Sequence, residues 1–83
     1  MKNTNQKTER VEVMALFGYE MTPCEPLSFR RQSDAKEIEV QELLSSSIKF
    51  VGSDVIHLFD VKALGKKLRL AFNATSLAWS LIA

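Results

Sequence analysis

The sequence predicts a mainly β domain, a small antiparallel barrel or rolled sheet of five to seven short strands. Three observations lead there. Apolar residues recur at alternate positions in several segments, as they do on a strand with one buried face. Turn-forming residues separate these segments at intervals of roughly 8–12 residues. The chain has 83 residues, 46% of them hydrophobic, which supplies one core, yet a flat sheet of this size could not bury both Phe59 and Trp79 without curling or dimerising.

Met1 to Glu9 is polar and without periodicity, so residues 1–9 read as a flexible terminus and 10–83 as a single β domain. Val11, Val13, Ala15, Phe17 and Tyr19 share one parity and predict the first strand. Met14 and Leu16 make its second face apolar as well. Met21 to Pro26 is a connection, because Pro23 and Pro26 lack the N–H that a ladder needs. Leu27 and Phe29 alternate with Ser28 and Arg30 in a short second strand, and Gln32-Ser33-Asp34-Ala35 turns the chain.

Lys36 to Val51 reads two ways. As strand, Ile38, Val40, Leu44, Ile48 and Phe50 share a parity that Glu42 and Ser46 interrupt. As helix, Asp34 and Glu37 form a capping-box pair ahead of Val40, Leu43 and Leu44. The β-branched residues and Ser45-Ser46-Ser47 favour a strand, a break at the serines and a second strand over Ile48–Val51; the alternative is one short helix near residues 34–46. Gly52-Ser53-Asp54 is a turn. Val55–Val61 is apolar on both parities, the pattern of a central strand. Gly65 can take a positive φ in the turn Ala63–Lys66. Leu68, Leu70 and Phe72 then alternate with Lys67, Arg69 and Ala71. Asn73–Ser76 turns the chain again, and Leu77, Trp79 and Leu81 form the final strand. Alternation in neighbouring strands places Phe59, Phe72 and Trp79 in the core rather than in a site.

Charge excludes little but is unevenly placed. Eleven basic and ten acidic residues give a net charge of +1, without the basic excess typical of a nucleic-acid binder. Residues 12–42 are predominantly acidic and 49–69 predominantly basic. A single cysteine, Cys24, and a polar N-terminus without an apolar core of signal-peptide type predict a cytoplasmic protein. No apolar run approaches the roughly 20 residues that span a bilayer. Asn73-Ala74-Thr75 matches the N-glycosylation pattern, which has no meaning without a secretory route.

Phe59 and Val61, then Leu68-x-Leu70-x-Phe72, an Asn-headed turn and Trp79-x-Leu81, together with Pro26-x-x-Phe29 and Ile38-x-Val40-x-Glu42-Leu43, resemble small uncharacterised bacterial β-domain proteins that end in strand, turn and a Trp-x-Leu strand. The resemblance covers residues 26–82. It implies a small β-barrel-like fold and no activity. This chain departs from the pattern at Ile56 and His57, where those proteins carry Arg or Tyr.

No constellation of side chains predicts catalysis. His57 is the only histidine and sits among apolar neighbours, where it reads as a core or rim residue. One His and one Cys cannot close a four-ligand zinc site, so no metal or other cofactor is expected. A Cys24–His57 nucleophile pair has no supporting motif around Cys24. Glu37, Glu39 and Glu42 alternate with apolar residues and read as a solvated face. Arg30 and Arg31 read as surface ion-pair partners of those glutamates. Lys62, Lys66, Lys67 and Arg69 gather at the Gly65 turn as the one basic patch, which reads first as a charged hairpin tip.

The expected protein is therefore non-enzymatic and acts through protein–protein contacts. Self-association to a homodimer is expected, because Val11–Tyr19 and Val55–Val61 are apolar on both faces and a single curled sheet has only one inside. The competing explanation is a helix over 34–46 that covers the second face within one chain. The alternative function is a small nucleic-acid-binding barrel that uses the basic 62–69 hairpin. No small-molecule substrate is legible.

Overall fold

A computed structural model describes residues 8–17 and 24–82. Among these the chain is all β. Seven strands run in order: β1 Thr8–Leu16, β2 Glu25–Arg31, β3 Glu37–Glu39, β4 Glu42–Val51, β5 Asp54–Ala63, β6 Lys66–Asn73 and β7 Ala78–Ile82. They form one antiparallel sheet in the order β3-β2-β1-β7-β6-β5-β4, curled into a half-barrel. β3 and β4 are its two edges.

Local chemistry accounts for the β4–β7 meander. Gly52, with φ of 61°, is the first central residue of a two-residue hairpin between Val51 and Asp54, the position where such turns call for glycine. Leu64 and Gly65 take φ of 56° and 72°, the paired positive values of a type I′ turn, whose hand matches the twist of the flanking strands. Asn73 heads the next connection: its Oδ1 accepts from the backbone N–H of Thr75 at 2.9 Å and of Ser76 at 3.1 Å, a side chain imitating a turn. Leu64 is the misfit in this set, since a γ-branched side chain gains nothing from the left-handed region and is 57% exposed. Leu64→Asn should raise stability by about 0.5–1 kcal/mol by relieving that conformation, read as a higher urea midpoint with an unchanged slope.

β1 is the pivot of the curl. Thr8–Val11 pair with β7, while Val11–Leu16 pair with β2, so only Val11 is flanked by strands on both sides. The concave face carries the core: Val11, Phe29, Ile38, Phe59, Val61, Ala63, Leu70, Phe72 and Leu81 are buried, with Cys24 beside them. Three of the ten sit on alternate positions of β5, a pattern that follows directly from the pleat.

Several expectations are corrected. The N-terminal boundary falls earlier than residue 10, because Thr8 and Glu9 are already paired with Ile82 and Leu81. Residues 18–23, which hold the expected end of the first strand and the start of the Pro connection, lie outside the described residues, as do 1–7. Pro26 and Phe29, not Leu27 and Phe29, point inward: a bulge between Met14 and Ala15 shifts the register, and Leu27 is 42% exposed. No helix forms over 34–46. The break in that stretch is at Val40-Gln41, and Ser45–Ser47 run through the middle of β4. The serines mark an exposed strand rather than a turn. Val55–Val61 lies one strand from the edge, not in the centre of the sheet.

Candidate interaction surface

The register separates the two halves of the expected nucleic-acid site. Lys62 lies directly opposite Lys67, and Asp60 opposite Arg69, on the convex face. Phe59, Phe72 and Trp79 lie on the concave face. Arg69 is also occupied: its Nε donates to Asp60 Oδ1 at 2.8 Å and its Nη2 to Oδ2 at 3.2 Å. Lys66 stands at the hairpin end, opposite Ala63. The basic side chains thus share a hairpin but do not frame an aromatic platform.

The Asp60–Arg69 pair has a measurable signature. Asp60 is held below its ordinary carboxyl range, first by the hydrogen bonds from Arg69, against opposing partial burial, and further by the hydroxyl of Ser45. A depressed folded-state pKa contributes stability that is present at neutral pH and is lost as pH falls below the ordinary carboxylate value. Asp60→Asn should therefore cost about 1 kcal/mol at pH 7, as for a partly exposed charged pair. The gap from wild type should close on acidification to about pH 2, and a gap independent of pH would contradict the assignment.

The aromatic groups form a row. Trp79 stacks on Phe72 with centroids 4.7 Å apart and on Phe59 at 5.7 Å. His57 stacks on the other side of Phe72 at 6.2 Å, and the Phe17 ring meets Phe72 edge-on at 6.4 Å. Phe59 and Phe72 are buried as expected, while Trp79 is only partly buried. It borders a cavity of about 620 Å³ that opens where β1 changes neighbours, between the 32–35 turn and the 76–78 turn, with Arg10, Arg30 and Arg31 at the rim. Arg30 pairs with Glu12 at 3.6 Å across the β1–β2 ladder and Arg31 with Asp34 at 2.7 Å within the turn, not with Glu37–Glu42 as expected; Glu37 also faces Arg30, from β3, but accepts from the Ser28 hydroxyl instead. Arg31 Nε is enclosed without a hydrogen-bond partner.

The remaining candidates do not converge. Cys24 is buried, and burial pushes its thiol above the ordinary value, which makes it a poor nucleophile at neutral pH. It precedes β2, whereas His57 is on β5, and three strands separate those two in the sheet. Glu37 and Glu39 are exposed on the short edge strand, where Glu37 accepts from the Ser28 hydroxyl at 3.1 Å. Among the described residues no three His, Cys, Asp or Glu side chains gather as a metal site, and no helix is long and apolar enough to cross a membrane.

The surface that sequence reasoning missed is the β4 edge. The two sheet edges differ sharply. β3 has three residues, two of them Glu, a short charged edge of the kind that discourages further pairing. β4 has ten residues and, among the described residues, pairs only with β5. Leu44, Ile48, Phe50 and Val51 on it are 44%, 56%, 73% and 48% exposed. Its only charges are Glu42 and Lys49, and it contains no proline. The signal in the sequence was the apolar Ile48, Phe50 and Val51 beside three serines, a composition that suits a strand waiting for a neighbour.

The fold and this edge define a small, open antiparallel half-barrel with one guarded and one unguarded side. Comparison of the chain with known protein families, curated proteins and solved structures finds no match.

Proposed function

We propose that this protein is a non-enzymatic contact module that acts by strand addition at β4, taking an extended segment of a protein as the next strand of its sheet. The unguarded ten-residue edge carries the reading. Backbone pairing supplies affinity in such complexes and alternate side chains supply selectivity. Here Ile48 and Phe50 would grip the partner on the concave face. An open strand edge with this much exposed apolar surface is otherwise an aggregation hazard, so an occupant resolves a physical problem as well as defining a role. The lone thiol Cys24, buried and unbridged, supports placement in a reducing compartment such as the cytoplasm.

Site-specific photocrosslinking in the native cell tests this. A benzophenone amino acid in place of Phe50 should yield protein adducts, because the side chain is exposed and its replacement leaves the core intact. The same probe at Leu64, on the far hairpin, should not. The Phe50 adducts should disappear in an Ile48→Lys background. Nucleic-acid adducts in place of protein ones, or equal capture at Leu64, would overturn the proposal.

A further inference from the structure

β4 is self-complementary in a way its sequence numbering hides. A two-fold axis at a sheet edge and perpendicular to the plane of the sheet pairs a strand with its own antiparallel copy and keeps each face on its own side. Residues directly opposite one another must then point the same way. Glu42 and Lys49 are an even and an odd position, so in an uninterrupted strand they would occupy opposite faces and could not meet. The bulge between Leu43 and Ser45 inserts Leu44 as an extra residue. Glu42 is thereby paired with Lys62 and Lys49 with Ile56 on β5, and both point to the convex face. By the same shift Leu43, opposite Val61, and Ile48, opposite His57, both point to the concave face.

One register uses all of these. With Ser46 on the axis, Ser45 faces Ser47 of the second copy. With Leu44 bulged, Leu43 then faces Ile48 and Glu42 faces Lys49, each pair occurring twice. The small serines at the centre let the two edges approach, the apolar pair covers Ile48, and the only two charges of the strand neutralise each other across the interface. We infer that the occupant of the β4 edge is a second copy of this chain, paired antiparallel about Ser46 in a continuous sheet. This rests on the strand-addition reading above and names its partner.

Opposite-charge pairs directly across a ladder favour a register, and like charges there oppose it. In the purified full chain, Lys49→Glu should weaken dimerisation on the order of tenfold by sedimentation. Glu42→Lys combined with Lys49→Glu should restore it to near the wild-type value, a rescue that a folding defect would not produce. Ser46→Cys should form an intermolecular disulfide in a glutathione buffer, since facing Cα atoms in an antiparallel pair lie about 4.5–5.5 Å apart. Ser47→Cys should not, because its copies sit about 8 Å apart in this register, beyond disulfide reach. Cys24 is buried and stays out of the exchange.

A chain that is monomeric at about 100 μM, with the Ser46→Cys variant left reduced, overturns the inference; protein adducts of another chain at Phe50 would then leave strand addition standing. A dimer indifferent to Lys49→Glu, and bridged as readily in the Ser47→Cys variant, overturns both this register and the inference. Monomer without any protein adduct at Phe50 removes the strand-addition reading as well.

Discussion

Phe59→Ala should cost about 3–5 kcal/mol, a large share of the stability of so small a domain. Phe59 is 1% exposed and lies on the concave face of β5, opposite Leu70 on β6 and Ser46 on β4. Its ring also supports Trp79. Removing it opens a cavity at the centre of the one core, and the curl holds the lining strands apart so that the space cannot fully collapse. A domain of this length has a stability of about 4–12 kcal/mol at typical values per residue, so the variant loses a large share of it and, towards the lower end of that range, is largely unfolded at 37 °C. Chemical denaturation followed by far-ultraviolet circular dichroism measures the loss, and a cost below about 1 kcal/mol would show that the core does not centre on this ring.

How much of this was legible in the sequence follows from the range of the forces involved. The turns at Gly52, Gly65 and Asn73 could be read because their chemistry is local: a positive φ, or a side-chain oxygen that caps its own turn. The alternation of Leu68, Leu70 and Phe72 could be read because it belongs to one strand packed on one face. The bulges at Leu27 and Leu44 could not, since each shifts the parity on which pattern reading depends. That is why alternation alone puts Leu27 inside and Pro26 outside. Ser45–Ser47 mislead for a related reason: polar residues mark a turn and an exposed edge equally well, and only long-range pairing decides which. The same limit governs the site. Composition located Lys62, Lys66, Lys67 and Arg69 at one hairpin tip, but their separation from Phe72 and Trp79 is a matter of sheet face. The β4 edge depends on strand order, which no single segment encodes.

Trp79→Ala should cost about 3 kcal/mol, less than Phe59→Ala although the side chain is larger. The difference lies in burial. Trp79 is packed against the core but only partly enclosed, and its outer edge borders the cavity beside β1. Part of the space left by truncation is therefore open to solvent and creates no void. What is lost is the bridge between Phe59 and Phe72, two offset stacks with interplanar angles of 30° each, worth about 0.5–1.5 kcal/mol apiece beyond area burial. Trp79 is also opposite both Phe72 and Val11, so its removal loosens β1 where that strand is held on both sides. Trp79→Phe keeps one stack and should recover more than half of the loss. As the only tryptophan, Trp79 reports on itself. Native emission should lie to the blue of the unfolded chain, and acrylamide should quench it partially through the cavity mouth. Emission already at the unfolded position, with full quenching, would place the ring outside the stack and remove the basis for the predicted cost.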